Sequence, residues 1–158
     1  MAIRTIRTEG DEILRKKSKK VEVIDDKIKE LIQDMKDTLR KYNGIGLAAV
    51  QVGILKQIVI IQEDEDKPLY VLINPEIISA SGVQTVDEGC LSFPNKFAKI
   101  ERPEKVKIRA LDENGKTIEI KAKELLAQAI SHELDHLNGE VFIDKIIPGT
   151  LEVIKPEK

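Results

Sequence analysis

The segment His132-Glu133-Leu134-Asp135-His136 contains the only two histidines of the chain. Positions four residues apart lie on the same face of an α-helix, so the two imidazoles can approach one another. Two histidines at this spacing can bind one metal ion, and the glutamate after the first can act as a general base. The spacing therefore indicates a metal-dependent hydrolase, and the alternative is a polar helix face with incidental histidines.

A catalytic metal site of this kind needs a third protein ligand and an open position. The histidine that one class of zinc peptidases places after the motif is missing, because Phe142 occupies that position. A second class of zinc peptidases uses a more distant downstream glutamate, and only Glu157, in the C-terminal tail, lies near that distance. The remaining candidate is Cys90, the only cysteine, since a thiolate with two imidazoles suits Fe(II) or Zn(II). A lone cysteine can also be a small buried apolar residue.

A helix from Glu124 to Leu137 is predicted, because this stretch has no proline or glycine and Asn138-Gly139 follows it. Its apolar and histidine side chains fall on two neighbouring rows. Such a helix is expected to be buried, so both imidazoles would need partners inside the fold. The rows are Leu126, Ile130, Leu134 and Leu137, and Leu125, Ala129, His132 and His136.

The other predicted elements are a second helix and several short strands. Asp25 can cap a helix that runs to about Tyr42 and is ended by Asn43-Gly44. Apolar segments predict strands, and Asp112-Glu113-Asn114-Gly115 predicts a hairpin turn. Together these elements indicate an α+β fold with mainly antiparallel β-sheets. The predicted strands cover 57–61, 69–73, 106–111 and 117–121, and 151–154 is interpreted as a strand or an extended tail.

Composition favours one catalytic domain over residues 1–158, with 41% hydrophobic residues to form a core. We expect no membrane partner, because no long apolar run occurs. We also expect no signal peptide, because the N-terminal residues lead into charged ones. The single cysteine excludes an internal disulfide and favours a cytoplasmic location. A net charge of −2 argues against direct nucleic-acid binding, and the basic run 15–20 is interpreted as solvated surface.

Two further segments accompany the histidine pair. They are Gly44-Ile45-Gly46-Leu47-Ala48-Ala49-Val50-Gln51 and Glu88-Gly89-Cys90-Leu91-Ser92. In content and order, the three segments together resemble the bacterial peptide deformylases, and their spacing covers nearly the whole chain. This resemblance implies antiparallel β-sheets around a central metal-binding α-helix.

The same resemblance implies a reaction and its cofactor. The enzyme would remove the formyl group from the N-terminal formyl-methionine of newly made polypeptides and release formate. One divalent metal ion would be bound, with Fe²⁺ preferred and Zn²⁺, Ni²⁺ or Co²⁺ as alternatives. A contact with the ribosome is a further expectation. The metal ligands would be Cys90, His132 and His136.

Roles for other residues follow from the family as well. Glu133 would accept a proton from water and return it to the leaving amine. The Gln51 side-chain amide and the Leu91 backbone N–H would donate to the oxyanion. Gly44 would let the backbone approach a bound peptide, with an ordinary turn as the alternative. The expected substrate-binding residues are Ile45, Gly46, Leu125 and Ala129, and the last two could equally be plain core.

Some residues depart from the family pattern or have two interpretations. Val50 stands where proline is common, and Ser131 where glutamine commonly precedes the first metal-binding histidine. The short C-terminal segment differs from relatives that end in a long helix, so a ribosome contact through such a helix does not carry over. Glu88 and Asp135 could orient an imidazole or pair with Arg102, or be surface charges.

Two other functions fit the histidine pair less well. A zinc endopeptidase would use the same helix motif, but its usual third ligand is missing. A structural metal site is closed by four protein ligands, and the sequence has no second cysteine or third histidine.

Overall fold

The computed structural model describes residues 2–154, whose helices and strands confirm an α+β fold. Helix α1 spans Asp26–Lys41 and helix α2 spans Glu124–Leu137. The strands are β1 Gly46–Ala48, β2 Ile58–Ile61, β3 Tyr70–Ser81, β4 Gln84–Cys90, β5 Phe93–Arg102, β6 Lys105–Leu111, β7 Thr117–Lys123 and β8 Glu152–Val153. Short 3₁₀ segments lie at Glu12–Arg15, Ala49–Val52 and Phe142–Lys145.

The strands form two antiparallel sheets. One sheet has the order β1-β2-β3-β6-β7, which leaves β1 at an edge, and the other has the order β4-β5-β8. Strand β2 is buried on both faces because helices pack on both sides of it. Ile58 and Ile60 face α1, whereas Val59 and Ile61 face α2. Since α2 also contacts β5 and its His132 meets Glu88 of β4, the helix lies between the two sheets.

Both predicted helices are confirmed. The Asp25 carboxylate accepts from the Ile28 N–H at 3.0 Å and so caps α1. Helix α2 has the predicted bounds, and it buries His132 and His136 as expected. Leu125 contradicts the expectation of a fully buried row, because it is 41% exposed. It lies in the first turn of α2, where the helix borders an open cleft and no sheet covers it.

The four predicted strands exist, and the 151–154 segment contributes β8, which pairs with β5 at Lys96 and Phe97. Strand β3 is longer than predicted and runs on to Ser81. The β4–β5 hairpin was not predicted, because its strands carry charged residues, a glycine and Pro94 in place of a continuous apolar pattern. This hairpin carries Cys90, so the position of the cysteine could not be predicted from the sequence.

Candidate active site

Cys90, His132 and His136 converge between the β4–β5 hairpin and α2. One ligand atom from each lies within 4.8 Å of the others. Cys90 Sγ is 3.4 Å from His136 Nε2, and the two imidazole rings are 5.0 Å apart. The structure therefore brings together the three residues expected to bind metal, although they come from positions far apart in the chain.

The chemistry of these side chains fits a divalent transition metal. A thiolate and two imidazoles suit Fe(II) and Zn(II). Burial lowers the pKa of His136 well below its usual value, which keeps this imidazole in the neutral form that binds metal. Beside the ligands, Glu133 Oε1 is buried without a hydrogen-bond partner among the described residues. A buried carboxylate oxygen needs a donor, and a water molecule at the open position of a metal site would provide one.

A buried ionic network fixes the orientation of His132. Its Nδ1 is 2.7 Å from Glu88 Oε2, which leaves Nε2 for a metal. Arg102 binds Glu88 through two hydrogen bonds of 2.6 and 3.1 Å and also contacts Asp135 at 2.6 Å. Both interpretations of Glu88 therefore apply, because it orients an imidazole and pairs with Arg102. Burial alone would raise the pKa of Glu88, but its hydrogen bonds from His132 and Arg102 outweigh burial and lower the pKa to about 2.

Glu133 lies in the same buried region, but its pKa is shifted in the opposite direction from that of Glu88. It is 4% exposed, and burial raises the pKa of its carboxyl to about 7 against the opposing charge of His132. A carboxyl group with a pKa near neutrality can both accept and return a proton. A nearby divalent cation would favour the charged form and lower this pKa. Glu133 can therefore act as a proton-transfer group.

Gln51 lies next to the cysteine and is held at both ends of its side chain. Its Oε1 accepts from the Ala48 N–H at 2.9 Å, and its Nε2 donates to Ser92 Oγ at 3.0 Å. The amide has two N–H groups, and Nε2 is also 3.6 Å from Cys90 Sγ. The second N–H therefore donates to the cysteine sulfur, which is a weak acceptor. Leu91 follows Cys90 in the turn between β4 and β5 and lines the same cleft.

These groups open onto a cleft of about 690 Å³. Gly46 forms part of its wall on the edge strand β1, and a Cβ atom added there would lie 2.6 Å from Glu133 Oε2. Glycine is therefore required at this position by the close approach of Glu133, a reason that the sequence did not reveal. The expected substrate-binding residues all line the cleft, namely Ile45, Gly46, Leu125 and Ala129.

Ser92 makes a contribution to the site that was not predicted from the sequence. Its hydroxyl accepts from Gln51, a contact across 41 residues for which the sequence carries no local signal.

The two residues that depart from the family pattern are accommodated by contacts in their own part of the structure. Val50 is fully buried in the core beside α2, and the Ser131 hydroxyl donates to the Ala127 carbonyl within its own helix at 2.8 Å.

Replacing Cys90 by alanine is expected to abolish tight metal binding, because only two imidazoles would remain. Metal analysis after dialysis against a weak chelator would measure this loss. The matched control is Ser92→Ala, which removes a neighbouring polar group but no expected ligand. If Cys90→Ala retained one equivalent of metal at wild-type affinity, the third ligand would lie elsewhere.

The acidic pKa of Glu88 predicts a loss of stability in acid. In the folded state this carboxyl has a pKa of about 2, whereas in the unfolded state its pKa has the higher, ordinary value. The carboxylate therefore stabilises the fold at pH values above the unfolded pKa, and this contribution disappears as pH falls towards the folded pKa. For metal-free protein, Glu88 should contribute about 2 kcal/mol less to the free energy of unfolding at about pH 3 than at about pH 6. Urea unfolding of wild type and Glu88→Gln at both pH values measures this change in the Glu88 contribution. A stability difference between the two proteins that does not change with pH would contradict the assignment.

Comparison with known proteins agrees with this geometry. The polypeptide deformylase family model matches residues 3–151. The chain is 53% identical to peptide deformylase of Alkaliphilus metalliredigens over 93% of this chain and 99% of the relative. It is 52% identical to that of Acetivibrio thermocellus over 93% of this chain and 85% of the relative.

Solved structures give the same result. A peptide deformylase from Legionella pneumophila superposes with a TM-score of 0.90 at 43% identity, over 93% of this chain and 88% of that one. The peptide deformylase from Thermotoga maritima superposes with a TM-score of 0.89 at 38% identity, over 94% of this chain and 100% of that one. Within residues 2–154, no helix is long and apolar enough to cross a membrane. With a match over nearly its whole length and a Cys-His-His cluster beside a buried glutamate, the chain belongs to the polypeptide deformylase family.

Proposed function

We propose residue roles for the reaction of this family. The reaction is the metal-dependent removal of the formyl group from the N-terminus of new polypeptides. The metal ligands are Cys90, His132 and His136. The convergence of these side chains at the base of the cleft, with Glu133 beside them, is the observation that carries the proposal. We also propose that residues 1–158 act as a single catalytic domain.

The proposed native metal is Fe²⁺. A thiolate with two imidazoles also accepts Zn²⁺, Ni²⁺ and Co²⁺, and the general affinity order does not favour iron. The preference for Fe²⁺ therefore rests on the family resemblance. A divalent metal ion bound here would lower the pKa of a water molecule and polarise the formyl carbonyl.

Proton transfer is assigned to Glu133. It accepts a proton as water attacks the formyl carbon, and it delivers this proton to the amine nitrogen as the C–N bond breaks. Formate and a free amino terminus are then the products. Burial of this carboxyl and its pKa near 7 support the role.

Oxyanion stabilisation is assigned to the Gln51 side chain and the Leu91 N–H. The Gln51 amide is held by Ala48 and Ser92, so it needs little reorganisation to donate to a negative oxygen beside Cys90. Ser92 thereby serves as a positioning residue for Gln51.

The substrate is an extended peptide that begins with formyl-methionine. Because β1 is an edge strand, the backbone at Ile45 and Gly46 can pair with a peptide that lies in the cleft. Leu125 and Ala129 form the apolar wall proposed to contact the methionine side chain. The proposed location is the cytoplasm, where new chains emerge from the ribosome, and a contact with the ribosome is proposed as well.

Discrimination between formyl and acetyl groups tests the proposed substrate. An acetyl group adds one methyl, which the tight packing of Gly46 against Glu133 leaves little room to accept. Initial rates on formyl- and acetyl-methionyl-alanine should differ by about 10- to 200-fold in favour of formyl. Equal rates would indicate a general amidase, and digestion of casein would indicate an endopeptidase.

A further inference from the structure

Four lysine side chains lie together on the outer face of the five-stranded sheet, and we call them the lysine face. They are Lys105, Lys107, Lys121 and Lys123. In the register of β6 and β7, Lys105 lies opposite Lys123, and Lys107 lies opposite Lys121. Side chains alternate between the faces of a sheet, and the intervening Val106 and Ala122 are buried against α2. The lysine face therefore lies on the side of the sheet away from the helix that carries His132 and His136.

This arrangement concentrates uncompensated positive charge. Like charges directly opposite one another on neighbouring strands are destabilising. Among the lysines of this face, within the described part of the chain, only Lys107 has an acidic partner, Glu119 at 3.5 Å. The protein as a whole carries a net charge of −2, so the patch does not reflect a generally basic surface. An anionic partner would relieve the repulsion between these lysines.

The lysines line a shallow groove of about 330 Å³ together with two serines of β3. Ser79 lies opposite Lys107, and Ser81 lies opposite Lys105. Hydroxyl and ammonium groups suit phosphate oxygens and ribose 2′-hydroxyls. Among the described residues that line the groove, none is aromatic and none is arginine. Stacking on unpaired bases and bidentate contacts with base edges are therefore not provided.

We propose that the lysine face docks on the phosphate backbone of double-stranded RNA without reading its sequence. An anionic membrane is a poorer fit, because the two apolar residues that line the groove, Val106 and Ala122, are small and buried. The groove shares no lining residue with the active-site cleft, so docking leaves the cleft open. The net charge gave no sign of this surface, because the strand register assembles it from separate segments.

Fluorescence anisotropy with a labelled RNA duplex of about 16 base pairs tests the proposal. Between about 50 and 200 mM salt, the logarithm of the binding constant should fall with the logarithm of salt concentration with a slope of about −3 to −4, as expected for four phosphate contacts. Lys105→Gln/Lys123→Gln should reduce this slope by about 2 and weaken binding at least roughly tenfold. Duplex DNA should bind more weakly, because it lacks the 2′-hydroxyls that Ser79 and Ser81 can contact.

The matched control is Lys17→Gln/Lys20→Gln, which changes net charge equally in an exposed basic segment and should bind RNA like wild type. Circular dichroism and thermal unfolding check the fold, and at low salt the face variant should melt no earlier than wild type because repulsion is reduced. Equal weakening by both variants would overturn the proposal. So would equally tight binding of duplex DNA, polyglutamate or phosphatidylserine vesicles.

Discussion

Glu133→Gln is expected to lower kcat for formate release by about 10²- to 10⁴-fold, the usual contribution of a general base. The amide keeps the size of the side chain but cannot accept and return a proton. Glu133 is not among the three converging ligands, so metal content should remain at the wild-type level. Formate release from a formyl-methionyl peptide and metal analysis on the same sample measure both effects.

Glu124→Gln provides the matched control for this prediction. Glu124 is an exposed glutamate in the first turn of the same helix, so its substitution should leave turnover near the wild-type value. Near-normal formate release by Glu133→Gln with full metal content would show that another group moves the proton.

Gln51→Leu is expected to reduce kcat by about 10²- to 10³-fold, as is typical for the removal of one oxyanion donor. Leucine is similar in size but has no N–H to donate. The substitution also leaves the Ala48 N–H without its acceptor, so thermal unfolding must accompany the kinetics. Metal content should be unchanged.

Ser92→Ala separates donation from positioning. It retains the Gln51 amide but removes the hydroxyl that holds it at 3.0 Å, so its loss of turnover should be clearly smaller than that of Gln51→Leu. If the two variants lost equal activity, the effect of Gln51→Leu would be structural. If Gln51→Leu kept wild-type turnover, the oxyanion assignment would be wrong.

The helices and the histidine pair could be predicted because their signals are local. Regular apolar spacing and an Asn-Gly terminator belong to both helices, an aspartate cap begins α1, and the structure reproduces α2 residue for residue. The two histidines are brought together by the turn of the helix itself. Such features need no knowledge of distant parts of the chain.

Contacts between distant segments could not be predicted in the same way. The Arg102 contacts with Glu88 and Asp135 depend on how the β4–β5 hairpin packs on α2. The reason for glycine at position 46 is a side chain that approaches from another element. Each depends on tertiary packing, which composition and periodicity do not encode.

X-ray absorption spectroscopy at the edge of the bound metal tests the proposed metal centre most directly, using protein purified under argon. The ligand set predicts one sulfur and two nitrogen ligands from the protein, contributed by Cys90, His132 and His136. The sulfur contribution should disappear in any metal retained by Cys90→Ala. A wild-type spectrum with only nitrogen and oxygen ligands would contradict this site.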